Sequence, residues 1–241
     1  MTDAAAAVRA LVDARRRAST PVVVGIAGGV AAGKSVLAES VRDRVDGRAD
    51  VVSTDGFLLP NSVLQRRGIV DRKGFPESYD VDALRGFLGA AGRGGLPLRV
   101  PCYSHRGYDV EGHREVPAVD VLIVEGVNVL VAAPDLLDVG VYVDVDEALL
   151  ATWFRARLLA LWAAGREDPT SFYSSPIFAG LDEAAVGALA DGVWRSVNLV
   201  NLREHIAPSG RHADLVITLG PDHAVTHLET RDHRPDRTEE R

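Results

Sequence analysis

Eight consecutive residues constrain this chain more than anything else in it. Gly28-Gly29-Val30-Ala31-Ala32-Gly33-Lys34-Ser35 fits the pattern G-x-x-x-x-G-K-[ST], a loop that wraps a phosphate when it follows a buried strand and opens a helix. Both conditions are met on paper. Val22-Val23-Val24-Gly25-Ile26-Ala27 is an almost unbroken β-branched run, the pattern of a strand covered on both faces, and a helical pattern begins at Lys34. Glycines let the backbone turn its N–H groups inward, and the helix N-terminus adds positive potential at the same point. Residues Gly28 to Val36 are therefore the expected nucleotide contacts, with Lys34 reaching the β- and γ-phosphates of ATP and the Ser35 hydroxyl helping to hold Mg²⁺. The motif is common to kinases, switches, ATPases and motors, so by itself it gives nucleotide binding and no more.

Further apolar runs recur at 49–54, 119–124, 139–145 and 213–219. Helical patterns lie at 34–45, 81–91, 147–164 and 182–204, and another, 4–18, precedes the first strand. Strands alternating with helices predict an α/β chain with the P-loop NTPase fold, a mostly parallel central sheet with helices on both faces. Residues 56–118 are rich in Gly, Pro and Arg with weak periodicity, and so long an insertion reads as a set of functional loops. The expected organisation is one domain over 1–221 containing that insertion, followed by a disordered tail, 222–241, that has little to bury.

Composition removes several classes of function. The net charge is −7, so nucleic acid, which is bound through clustered Lys and Arg, is not an expected partner. Cys102 is the single cysteine, which excludes an internal disulfide and a cysteine-rich zinc site. The N-terminal residues lack the pattern of a signal peptide. The apolar stretch from Val119 to Ala133 is interrupted by Asp120, Glu125, Gly126 and Asn128 and is too short for a bilayer. A cytoplasmic protein with no membrane partner is expected. Of the 27 basic residues only Lys34 and Lys73 are lysines; they mark places where a compact ammonium is needed and a planar guanidinium does not fit.

Two strands end in acids. Asp55 follows the second and Glu125 closes the third. Ligands of open α/β sheets sit beyond the carboxyl ends of the strands, so both should converge on the phosphate loop. Asp55 is the candidate base for an attacking hydroxyl and Glu125 the candidate partner of Mg²⁺. Judged on their own, Arg155 and Arg157 read as surface charges, His105 as a loop residue, and Tyr79, Tyr103 and Phe178 as packing groups. Asn198, in an apolar helix, needs a partner for its amide.

Longer segments resemble a known family. Thr54-Asp55-Gly56-Phe57-Leu58-Leu59-Pro60-Asn61, Lys73-Gly74-Phe75-Pro76-Glu77-Ser78-Tyr79-Asp80, Tyr103-Ser104-His105, Glu125-Gly126-Val127-Asn128-Val129-Leu130 and Asn198-Leu199-Val200-Asn201-Leu202 are similar to the bacterial type I pantothenate kinases, which belong to a P-loop group with uridine kinase and phosphoribulokinase. The resemblance runs from about residue 21 to 225. It implies ATP- and Mg²⁺-dependent phosphorylation of pantothenate on the route to coenzyme A, with Asp55, Lys34 and Arg157 in the transfer step. It also implies acceptor contacts at His105, Tyr103, Phe154, Arg157 and Asn198, a homodimer, and coenzyme A as an inhibitor. Phe154 stands where the family has a tyrosine, and Leu158 and Leu161 where it has phenylalanines near the coenzyme A pocket. About twenty residues precede the first strand, against a longer arm in the family. A nucleoside or sugar kinase of the same group, or a non-catalytic nucleotide-binding regulator, fits the phosphate loop as well.

Overall fold

The computed structural model describes residues 2–231. Six strands form one sheet in the order β2-β5-β1-β6-β7-β8: β1 (Val22–Gly28), β2 (Ala49–Ser53), β5 (Val121–Glu125), β6 (Val139–Val145), β7 (Leu215–Leu219) and β8 (Val225–Thr230). Every residue of β1 and β5 is buried, which requires cover on both faces of the sheet. The cover comes from α1 (Thr2–Ala14), α2 (Lys34–Arg42), α4 (Val81–Gly92) and α5 (Val129–Ala132), while α6 (Glu147–Gly165) packs through Leu150 on Gly29 of the phosphate loop. Five strands pair in parallel, and β8 returns antiparallel along β7. The parallel α/β prediction is met. No helix among the described residues is long and apolar enough to cross a membrane.

The register of the sheet does the positioning. Glu125 is paired with Ile26 on one side and with Ser53 on the other. β2 and β5 therefore end level with Ile26 of β1, which runs two residues further to Gly28, where the phosphate loop starts; Asp55 lies two residues beyond Ser53. Gly33, at φ 82°, turns the chain into α2 in the left-handed region open to glycine.

The insertion is built, not loose. It holds α3 (Asn61–Arg67), α4, and a hairpin of β3 (Leu98–Ser104) and β4 (Asp109–Val116). This hairpin lacks a clean alternation of apolar residues because it lies over the strand ends instead of joining the main sheet. Gly56, one residue after Asp55, is pressed against the Pro101 carbonyl.

Three boundaries differ from the sequence reading. The first helix ends at Ala14, because Arg15 and Arg17 turn away to bond the Asp138 carbonyl (2.5 Å) and carboxylate (2.8 Å). The helix expected over 182–204 begins as α7 (Glu183–Val193) and continues to Ser209 through π turns at Trp194–Asn198 and Leu202–Ile206. The reading of 222–241 as disordered tail gives way over Val225–Thr230, where the β7 edge supplies the backbone partners for β8; residues 232–241 lie outside the described residues.

A methyl group at Gly56 would push the Pro101 carbonyl away. Gly56→Ala is expected to lower stability by about 1–3 kcal/mol, the usual cost of overpacking, and to reduce turnover more steeply than the urea midpoint alone accounts for, because the displaced hairpin roofs the strand-end acids.

Candidate active site

A cleft of about 390 Å³ opens beyond the carboxyl ends of β1, β2 and β5. Its floor is the phosphate loop. Lys34 is 8% exposed, and its Nζ donates to the Gly29 carbonyl at 2.8 Å. Burial lowers the Lys34 pKa, while the carboxylates of Glu125 and Asp55 pull it back up. The buried Glu125 is shifted upward, chiefly by its own desolvation and then by the Asp55 charge, against the pull of Lys34 and of the nearby Ser53 and Ser35 hydroxyls. Asp55 is half-buried at the start of a 3₁₀ turn whose N-cap is Ser53. Lys34, Ser35, Asp55 and Glu125 thus line one cavity. Val30 and Ala31 line it as well. Gly28, Gly29, Ala32 and Gly33 shape the loop beneath, whereas Val36, 62% exposed, is turned to solvent.

The wall opposite the loop comes from α6 and from the helix that follows α7. Phe154, Arg157, Leu158 and Leu161, spaced three and four apart on α6, face the cleft together. Arg155 lies elsewhere on the helix: it pairs with Asp191 and packs on Gly187, so of the two arginines it is the structural one. Arg157 approaches His105 with a guanidinium nitrogen 3.4 Å from Nε2, which accepts. Burial and the Arg157 charge hold His105 below its usual pKa, leaving the imidazole neutral at pH 7. Tyr103 packs edge-on to His105, with ring centres 5.2 Å apart. Asn198 lines the cleft, and its buried Nδ2 has no hydrogen-bond partner among the described residues. The cleft therefore brings together all the acceptor-side residues expected from the sequence.

The cleft holds more residues than the sequence reading assigns to it. Tyr79, read as a packing group, and Lys73, singled out only as a compact ammonium, line it, as do Tyr108, Phe172, Tyr173 and Asn201, to which that reading gives no role. Tyr79 is buried, and desolvation followed by the Asp55 charge raises its phenol far above the ordinary range. Tyr108 takes φ 54° at the hairpin turn, a left-handed conformation that costs a non-glycine residue about 1–3 kcal/mol. Its ring stacks on Phe172 at 4.3 Å, and burial pushes its pKa up to about 12. Asn201 donates from Nδ2 to the Gly74 carbonyl at 2.7 Å, fastening the helix to the Lys73-Gly74-Phe75 loop. The repeated asparagine in Asn198-Leu199-Val200-Asn201 was the available signal for the last of these. The hairpin aromatics carried none, because their placement depends on a turn whose geometry no local pattern announces.

No family model matches the chain. The pantothenate kinase of Rhizobium rhizogenes is 39% identical over 233 residues, covering 89% of this chain and 70% of that protein. Among solved structures, the D-glycerate 3-kinase of Cryptococcus neoformans superposes with a TM-score of 0.64 at 14% identity, over 94% of this chain and 98% of the other. The phosphoribulokinase of Rhodobacter spheroides gives 0.52 at 13% identity, over 83% of this chain and 70% of the other. These two likenesses concern the fold alone.

The two neighbouring arginines separate charge that serves the cleft from charge that serves the scaffold. Arg157→Met is expected to lower ATP-dependent turnover by about 100-fold, as for loss of one preorganised donor. Arg155→Met is expected to leave kcat unchanged and to lower the unfolding free energy from urea titration by no more than ~1 kcal/mol, the range of a half-exposed ion pair.

Proposed function

The chain belongs to the pantothenate kinase family, and from that membership we infer that it moves the γ-phosphoryl group of ATP to the primary hydroxyl of pantothenate, giving ADP and 4′-phosphopantothenate at the first step of coenzyme A biosynthesis. The observation that carries the reading is that a phosphate-loop lysine and a strand-end aspartate share one cleft whose other half is apolar and ends in an unpartnered asparagine donor.

The phosphates of ATP lie against the loop N–H groups and the N-terminus of α2, and Lys34 exchanges the Gly29 carbonyl for phosphate oxygens. The donors beside the loop suit Mg²⁺: the Ser35 hydroxyl and the Glu125 carboxylate are hard oxygens in one cluster, and phosphate oxygens and water complete such sites. A Mg²⁺ held by Ser35 and Glu125 would supply charge neutralisation for the phosphates. Asp55 accepts the hydroxyl proton as the hydroxyl oxygen attacks the γ-phosphorus; the bond to the β–γ bridging oxygen breaks and its electron pair leaves with ADP. Arg157 meets the charge on the transferring group, and neutral His105 holds that guanidinium by accepting from it. Asn198 donates to the carbonyl of the pantothenate amide, while Tyr103 and Phe154 pack on the apolar part of the acceptor. Coenzyme A, which contains the pantothenate unit, is the inhibitor the family resemblance implies; Leu158 and Leu161 line the same space where the family has phenylalanines. The protein works as a cytoplasmic homodimer, the assembly the family resemblance implies.

Incubation with Mg-ATP and, separately, pantothenate, uridine, cytidine and ribulose 5-phosphate tests the acceptor. ADP should form rapidly with pantothenate, and good turnover of a nucleoside with none of pantothenate would sink the reading. Asp55→Asn is expected to lower kcat by at least ~100-fold, the low end for loss of a general base, with ATP binding by titration calorimetry retained. Near-normal turnover in that variant would remove Asp55 from the base role.

A further inference from the structure

Lys73 is one of two lysines among 27 basic residues, and the transfer chemistry above does not use it. Its ammonium sits in the acceptor-side wall of the cleft. Nζ donates to Asn61 Oδ1 at 2.7 Å and to the Tyr108 carbonyl at 2.6 Å. It also lies 4.0 Å from the Tyr108 ring centre and 5.0 Å from that of Tyr103, within cation–π range of both. Asn61 closes the knot: its Nδ2 donates to the same Tyr108 carbonyl at 2.8 Å, and its backbone N–H to Asp109 Oδ1 at 3.0 Å. The start of α3, the Lys73-Gly74-Phe75 loop and the β3–β4 turn are thereby tied at one cation.

The tie has something to hold. Tyr108 stays in its disfavoured left-handed conformation only if its surroundings over-determine it. From that conformation its ring supports Phe172, whose backbone N–H donates to the Arg106 carbonyl of the same turn at 2.8 Å. A compact ammonium can meet two oxygens and two ring faces at once; a planar guanidinium cannot.

We propose that Lys73 is a positioning residue for the acceptor: by gripping Tyr108 and Asn61 together it fixes the wall of Tyr103, Tyr108 and Phe172 against which the acceptor packs. The inference rests on the reading of this cleft as the pantothenate site. It also makes acceptor binding depend on a proton. Burial pushes Lys73 down to about 8, against the pull of Asp109 and Asp55. The other titrating neighbours move away from that window: His105 is shifted down, and Tyr103 and Tyr108 up. Below about pH 8 the knot carries its full charge and donors; above it, one donor and the cation over both rings are lost.

Steady-state kinetics with each substrate varied in turn test this on the wild type, Lys73→Met, Asn61→Leu and the double variant. Lys73→Met should raise KM for pantothenate about 10-fold, within the range for coupled contacts, and leave KM for ATP unchanged. Asn61→Leu should raise it less, and the double variant should be no worse than Lys73→Met, because both changes cut the same knot. Wild-type KM for pantothenate should climb through pH 8 while that of Lys73→Met stays flat; titration of Lys34 would appear in KM for ATP instead. An unchanged KM for pantothenate in Lys73→Met, effects that multiply in the double variant, or KM for ATP rising in step would overturn the proposal. If Lys73→Met does not fold, Asn61→Leu and the wild-type pH series decide alone. Wild-type turnover of pantothenate in the same series judges the functional reading separately: its absence discards that reading, and its presence with a flat KM discards only the role of Lys73.

Discussion

A buried ammonium organises this molecule. Lys34 is taken out of water at the end of the central strand, and a charge so placed must be met by partners or give up its proton. The Gly29 carbonyl and the carboxylates of Glu125 and Asp55 meet it. The sheet register meets that requirement: the pairing of Glu125 with Ile26 and Ser53 brings the ends of β2 and β5 beside the start of the phosphate loop, so the carboxylates and the loop converge. A triphosphate supplies the countercharge more fully than a carbonyl does, so the same burial that strains the free protein favours the nucleotide complex.

Around this centre lie two bodies of apolar packing with different tasks. The large core unites the sheet with α1, α2 and α4. A small separate cluster of Trp162, Tyr173, Phe178 and Val186 reaches the cleft, which Tyr173 and Phe178 line. Small satellite clusters open at lower free-energy cost than a main core, which places adaptability on the side that must admit and release the acceptor and rigidity on the side that aligns phosphate.

What could be read from the sequence was whatever local patterns encode. The phosphate loop, the β-branched strands and the strand-end acids are each contiguous signals, and the structure places them where those signals predict. The π turns flanking Leu199–Asn201, the hairpin over Asp55 and the knot at Lys73 depend on contacts between segments tens of residues apart, and no periodicity reports those. Arg155 and Arg157 show the limit well: both are arginines on one helix, and only Asp191 and Gly187, far along the chain, decide which of them is withdrawn from the cleft. The strand Val225–Thr230 was missed for a related reason, since a polar segment becomes a strand when a free sheet edge is waiting for it.

The stripe formed by Phe154, Arg157, Leu158 and Leu161 has an evolutionary reading. On the proposed function, phosphoryl transfer rests on strand ends locked into the sheet register and on Arg157, while Phe154, Leu158 and Leu161 meet the acceptor from the same face of a helix that packs elsewhere on Gly29 through Leu150. Substitutions at those three apolar positions would then reshape the accepted alcohol while Arg157 and the nucleotide side stay in place. A scaffold divided in this way lets selection explore new acceptors, or escape from inhibitors of the acceptor side, by changing a few side chains while the transfer machinery is inherited intact.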